Sequence, residues 1–436
     1  MKTARERWEI LNLIRQEKFN SSLPLAMREN EVDMWIHCMR EGNPDSLAID
    51  LGGDTGYFVF FDSGKERIER AVFGGDKYHL MELDCYDIFG KEEELRDYIQ
   101  KKDPNVIAIN TSEWLAVADG ISYSEYNKLT KSLGEKFSLR LLSAENLITD
   151  FRTRRIPREI ELYKEICEFT RQLMERALSN EVITPGQTSR EDVGWWMEDQ
   201  LTSRGMKATF SRTMPYITHS DTSERSDCWK RDYIIQQGDL VVYDFGIDFM
   251  NYGTDIKRTA YVLKEGEMKV PSGIQNGWIQ ALKAREVIKE QVKVGQTAGE
   301  ALEKIGNSVQ QAGFKYLPIA INPMEKAPTT IEAPKNPEDR NKTEVSIDFH
   351  CVGNSGNSQV ASGPAIAGFR QDKAHLVIKS YHIFAFEFVA YTPNPDWNYR
   401  KVRISIEDDA IVTENGVEWL CPPNERILLI SVQKRS

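Results

Sequence analysis

Over the first 150 residues, short apolar runs alternate with amphipathic stretches. Residues 46–50 (SLAID), 56–61 (GYFVFF) and 106–110 (VIAIN) are compact runs rich in β-branched and aromatic side chains, and predict strands. Residues 92–101 and 124–133 space their apolar positions at helical intervals. The pattern is that of an α/β domain over residues 1–150. Gly52-Gly53-Asp54 lacks the spacing of a nucleotide-phosphate loop. Residues 151–157 (FRTRRIP) read as a junction, and residues 159–178 as a long amphipathic helix. Its apolar face carries Ile160, Tyr163, Ile166, Cys167, Phe169, Leu173 and Leu178.

The second region, residues 155–436, contains an internal repeat. Pro185-Gly186-Gln187-Thr188-Ser189-Arg190-Glu191 is echoed by Val294-Gly295-Gln296-Thr297-Ala298-Gly299-Glu300. Each copy has Gly-Gln-Thr and then Thr-x-x-Glu, which predicts a capping box opening a helix. Gly205 follows Thr188 by 17 positions and Gly313 follows Thr297 by 16, so two duplicated halves are expected. Residues 318–342 are rich in proline and charge and predict a long loop. From Val345 onward strand patterns dominate, above all residues 383–391 (IFAFEFVAY) and 403–406.

Composition narrows the function. The chain has 436 residues, 40% hydrophobic and 28% charged, with a formal net charge of −11. This is ordinary globular composition at a length that favours two domains. The acidic excess argues against nucleic acid or an anionic membrane as partner, since both require basic surface. No apolar run reaches membrane-spanning length. The N-terminal segment has no apolar core of a signal peptide, so the cytoplasm is the expected compartment, with secretion after removal of a signal left open. Six scattered cysteines predict reduced thiols.

Five residues carry the chemistry. Asp244 ends a buried-looking strand, residues 239–246 (DLVVYDFG). Asp255 follows 11 positions later, after an Asn251-Tyr252-Gly253 turn, so a hairpin can bring the two together. His350 lies in residues 347–354 (IDFHCVGN). Glu387 sits among aromatics in residues 384–389 (FAFEFV), where an ionised carboxylate requires a cation. Glu407 is expected at a strand end, before Asp408 and Asp409. Each residue alone has a bland reading as a turn, a core histidine or a solvated end. All five in one region point to an oxygen-rich metal site.

The order Asp, Asp, His, Glu, Glu, with the motifs GDLVVYDFG, YGTDIKRTAYV, His-x-x-Gly and EDDAIVTENG, resembles the M24 superfamily of creatinase, aminopeptidase P, prolidase and methionine aminopeptidase. The resemblance covers roughly residues 155–436. It implies a pita-bread catalytic domain of α+β class with a pseudo-twofold repeat, behind a smaller creatinase/prolidase-like N-terminal domain. It also implies two divalent ions (Mn²⁺, Co²⁺, Fe²⁺ or Zn²⁺, with Mn²⁺ favoured). Asp244 and Asp255 would hold one ion and His350 and Glu387 the other, with Asp255 and Glu407 bridging. Glu387 is then the candidate general base, and a homodimer the expected assembly.

The chain also departs from that family. Prolidase-like peptidases carry one further histidine about seventeen residues before the first aspartate and another seven after the metal histidine. Those positions here are Asp227 and Asn357. Phe349 and Cys351 replace glycines beside the histidine, and Lys257 stands where a threonine is usual. Cys351 is expected to be packed rather than a ligand. His219 is a candidate catalytic replacement; Asn357, His382 and Arg370 are candidates for substrate binding, and Lys373 is a further cation near Arg370. Trp195 and Trp196 are expected as core and groove residues. The leading reading is a hydrolase of Xaa-Pro-like peptides or small amides. A non-peptidase enzyme, either another C–N hydrolase or a lyase on a small carboxylate, and a non-catalytic pita-bread binding protein are the alternatives.

Overall fold

The computed structural model describes residues 2–210, 214–219, 229–318, 333–354 and 363–431. The chain divides into two compact units, Met1–Glu161 with Asn354–Asn357, and Leu162–Gly353 with Ser358–Ser436.

The first unit is built on one mixed sheet. Its strands are β1 (Met34–Met39), β2 (Gly56–Phe61), β3 (Glu69–Phe73), β4 (Ile88–Gly90), β5 (Ile107–Ile109) and β6 (Leu141–Ser143), ordered β4-β3-β2-β1-β5-β6. Buried apolar side chains of these strands pack against those of helices Leu95–Lys102 and Tyr123–Ser138. The predicted strand at residues 46–50 is instead a short helix, Ala48–Leu51. Asp45 Oδ1 accepts the Leu47 amide, the Arg15 guanidinium takes the carbonyls of Ile49 and Asp50, and Gly52 closes the turn at φ 82°. Those polar contacts outweigh the apolar run. Helix Ala4–Glu29, opened by a Thr3/Glu6 capping box, has no clean apolar stripe and goes unread in the sequence.

Among the described residues, the second unit holds three sheets. The first consists of β7 (Lys207–Ala208), β10 (Ile247–Phe249) and β11 (Tyr252–Gly253). The second runs β19-β12-β9-β8, where β8 is Tyr216–His219, β9 is Leu240–Phe245, β12 is Ile256–Val262 and β19 is Leu428–Ile430. The largest runs β13-β14-β16-β17-β18, with β15 on β14. These strands are β13 (Lys315–Tyr316), β14 (Glu344–Cys351), β15 (Ala365–Ala367), β16 (Ile383–Pro393), β17 (Lys401–Thr413) and β18 (Gly416–Trp419). Helices Ser272–Lys289 and Ala298–Gln311 bury their apolar faces on the largest sheet. This is the pita-bread fold, with the catalytic-type domain following an α/β domain.

The duplication is visible in the backbone. Gly186 N–H donates to Ile235 and Gly295 N–H to Ile378, both at 2.8 Å, and both glycines have positive φ (81° and 87°). Ser189 bridges Ile234 as Thr297 bridges Val377. The capping box of the second copy is the expected Thr297/Glu300 pair. In the first it is Ser189/Asp192, because that copy carries one extra residue. Thr188 turns back instead, accepting from the Thr184 amide at 2.9 Å. Among the described residues, no helix is long and apolar enough to cross a membrane. Trp195 is half exposed rather than packed. Cys38, Cys85, Cys167, Cys351 and Cys421 are buried and outside any disulfide.

Candidate metal centre

Strand register places the site. On β16 and β17, Glu387 lies directly opposite Glu407, and on β14 His350 lies opposite Ala385. Opposed residues of antiparallel strands share a face, as do residues two apart. His350, Glu387, Glu407 and Asp409 therefore point to one side of the largest sheet. Glu407 lies in mid-strand rather than at the expected strand end, since β17 runs on to Thr413. Two buried aspartates can follow it because each is provided for. Asp408 faces Arg258 at 2.8 Å, and Asp409 accepts the Asp255 amide at 3.1 Å and the Tyr163 hydroxyl at 3.1 Å.

The other carboxylates come from the β9/β12 pair. The chain folds back through a tight turn at Met250-Asn251, both at positive φ, and Tyr252-Gly253 forms β11 rather than the turn itself. Asp244 at the end of β9 is paired with Lys257 on β12. Asp255 stands two residues before Lys257 and shares its face.

The acid groups converge around His350. Its Nε2 lies 3.9 Å from Asp255 Oδ2, 3.8 Å from Glu387 Oε2 and 3.8 Å from Glu407 Oε1. Donor atoms of Asp255, His350 and Glu407 all fall within 4.8 Å of one another, and all three side chains are buried. Among the described residues, Asp255 Oδ1 and His350 Nδ1 are buried without a hydrogen-bond partner, and most buried polar atoms are bonded to protein, water or an ion. Mixed imidazole and carboxylate donors of this kind suit a divalent transition ion.

Lys257 is the site residue whose place the sequence did not disclose. Its Nζ bonds Asp244 Oδ2 at 3.0 Å, Glu407 Oε2 at 2.7 Å and Glu387 Oε1. Burial alone would lower this ammonium, but Asp244, Glu387 and Glu407 together hold it well above the usual lysine range. Burial also raises Asp255 and Glu407 well above ordinary carboxylates, and neighbouring acids add to the rise. For Glu387, burial is outweighed by Lys257 and His350, which bring it down to about 2. Asp409, buried beneath the site, is pushed up to about 8.

The structure brings Asp244, Asp255, His350, Glu387 and Glu407 together, as expected. It does not bring His382 to them. That residue precedes β16, five positions from Glu387 with opposite alternation, and its Nδ1 accepts the Lys379 amide. Arg370 lies on the flank of the site, where its guanidinium already forks onto Asp348 at 2.6 and 2.9 Å. Asp348 is two residues from His350 on the same face. Lys373 is buried, and burial lowers its pKa. Phe349, where the family has glycine, points to the other face and packs on Phe386 with ring centroids 4.0 Å apart. Cys351 is packed in the core. The His219 backbone pairs with Leu240 at the end of β8. Asp227 and Asn357 lie outside the described residues. Tyr216 and Arg403 also went unread: Arg403 Nη1 lies 3.4 Å from the Tyr216 hydroxyl, and Arg403 shares the face of Glu407.

A fold of this kind, with an acid and histidine cluster between its two halves, defines a metallohydrolase-type domain. The family model described as "Metallopeptidase family M24" matches residues 161–414. The chain belongs to metallopeptidase family M24, as a member divergent from its relatives. It is 23% identical over 376 residues to an Xaa-Pro dipeptidase of Pyrococcus furiosus, covering 85% of this chain and 92% of that protein. An X-Pro aminopeptidase from Thermotoga maritima has the same fold at TM-score 0.64 and 16% identity, covering 93% of this chain and 99% of that one. An Xaa-Pro dipeptidase from Bacillus anthracis matches at TM-score 0.61 and 18% identity, covering 95% and 99%.

Proposed function

We propose that this chain is a metal-dependent hydrolase that cleaves the amide bond of small Xaa-Pro peptides or close analogues. The observation that carries the proposal is the buried convergence of Asp255, His350 and Glu407, with donor atoms within 4.8 Å, beside Glu387. Asp255, His350 and Glu407 hold a divalent cation, with manganese favoured by the oxygen-rich donors. Such an ion, when bound, polarises a carbonyl and makes water more acidic.

The protein's own groups supply the rest. Glu387 stays ionised at neutral pH, and its Oε2, turned toward His350, receives the proton of the attacking water and returns it to the leaving amine. Arg370, steered by Asp348, offers a cation at the rim for a substrate carboxylate. The relatives named as Xaa-Pro enzymes support this substrate class.

A second reading has its own observation. Asp227 and Asn357 replace two imidazoles usual in prolidase-like peptidases. Loss of a donor that stabilises an oxyanion costs about 2.7–4 kcal/mol. That favours a different C–N bond on a small carboxylate as substrate. The test strips metal with chelator, returns Mn²⁺, Co²⁺ or Zn²⁺ singly, and measures amino acid release from Xaa-Pro dipeptides, Xaa-Pro-Xaa tripeptides and proline-free controls. Metal-dependent cleavage that disappears in Glu387→Ala is expected. No cleavage of any peptide with any of these ions refutes the peptidase reading.

A further inference from the structure

We propose that the Lys257 ammonium takes the place of one of the two metal ions expected here, so that the site holds a single divalent cation on Asp255, His350 and Glu407. The inference rests on the metal-binding part of the proposed function and not on its substrate.

Strand geometry sends the lysine inward. Lys257 is paired with Asp244 across β9/β12 and shares a face with Asp255, so the backbone fixes its entry into the acid cluster. An ammonium has three N–H donors and no acceptor. Lys257 finds three carboxylates from three strands: Asp244 on β9, Glu387 on β16 and Glu407 on β17. Its side chain is only 5% exposed, so water does not compete for those bonds.

The oxygens are divided between two positions. Lys257 takes Asp244 Oδ2, Glu387 Oε1 and Glu407 Oε2. The opposite oxygens, Glu387 Oε2 and Glu407 Oε1, turn toward His350 Nε2 at 3.8 Å, with Asp255 Oδ2 at 3.9 Å. Two-metal sites set their cations roughly 3.5–4 Å apart, bridged by carboxylates with one oxygen on each. Glu407 bridges here in that manner, with an ammonium on one side and the imidazole position on the other. A second divalent ion among Asp244, Glu387 and Glu407 would compete for the oxygens that Lys257 already bonds, beside its positive charge. Asp255 Oδ2, Glu387 Oε2 and Glu407 Oε1 stay turned to the His350 side, as donors for one cation.

Metal stoichiometry decides the matter. Chelator-stripped full-length protein is equilibrated with Mn²⁺, Co²⁺ or Zn²⁺ in turn, and bound metal per chain is read by elemental analysis and calorimetric titration. Wild type is expected to saturate at one ion. Lys257→Thr, which removes the ammonium from Asp244, Glu387 and Glu407, is expected to saturate at two. Lys257→Met, which keeps the side-chain volume, is the second variant should threonine disturb folding. A wild type that binds two ions overturns the proposal, as does one that binds none. So does a folded Lys257 variant that still binds only one. One ion bound with no peptide cleaved leaves this inference standing and removes the proposed substrate instead.

Discussion

The two duplicated halves of the second unit are alike in backbone and unlike in chemistry. Gly186 and Gly295 make the same left-handed turn and the same 2.8 Å bond to an isoleucine carbonyl. Ser189 and Thr297 cap equivalent helices. Yet the first half delivers Asp244 on β9, Lys257 on β12 and Asp255 just before β12, while the second delivers a histidine and two glutamates, on β14, β16 and β17. Local turns and caps depend on a few residues whose conformational needs are the same in both copies. Side chains projecting between the halves are free of those needs. In the site the two copies therefore differ in chemistry, and the first supplies a lysine where the second supplies a histidine.

Four experiments bear on that comparison. The largest effect is expected from Glu407→Ala, because Glu407 faces both Lys257 and His350 and joins Asp255 in the candidate ligand set. Lys257 keeps Asp244 and Glu387 in that variant, so the loss is that of one buried charged hydrogen bond, about 1.5–3 kcal/mol. Urea unfolding in chelator should register that loss, and metal binding should vanish with it. An unchanged midpoint would mean that Asp244 and Glu387 hold the lysine without Glu407. Next, metal at a hundred times its Kd should stabilise the wild type by about 2.7 kcal/mol, and the gain should disappear in His350→Ala. A persistent gain would place the ion elsewhere.

Gly186→Ala and Gly295→Ala should each cost about 1–2 kcal/mol, since a Cβ meets nothing within 4 Å at either glycine and only the left-handed backbone resists it. Thermal unfolding of both variants checks whether the halves are equivalent; a cost in one alone would break the symmetry. The smallest effect belongs to the caps. Ser189→Ala and Thr297→Ala should each lose about 1 kcal/mol by the same denaturation.

Much of this site can be read from particular residues. Glu387 is legible because an acid amid Phe384, Phe386 and Phe388 cannot be left unpaired in a core. Asp244 and Asp255 are legible because a turn separates them by hairpin length. Even the one-residue difference between the copies is present in the unequal spacings to Gly205 and Gly313, although the cap itself was placed at Thr188 rather than Ser189. His382 and residues 46–50 went astray for a shared reason. A short motif leaves alternation phase and polar competition undetermined, and both depend on neighbours distant in sequence.

The sequence by itself determined the family and the five acid and histidine residues that converge. Those follow from motif order, burial pattern and the cost of isolated charge, all of which are local or additive along the chain. Only the tertiary structure decided what the neighbouring charges do. Lys257 and Arg258 are adjacent basic residues, and Glu407 and Asp408 adjacent acids. Alternation sends Lys257 to Glu407 in the site and Arg258 to Asp408 behind it. Which member of each pair faces inward is set by the register of β12 on β9 and of β17 on β16. Register is fixed by the summed burial of whole strands, so no window of sequence around Lys257 contains it.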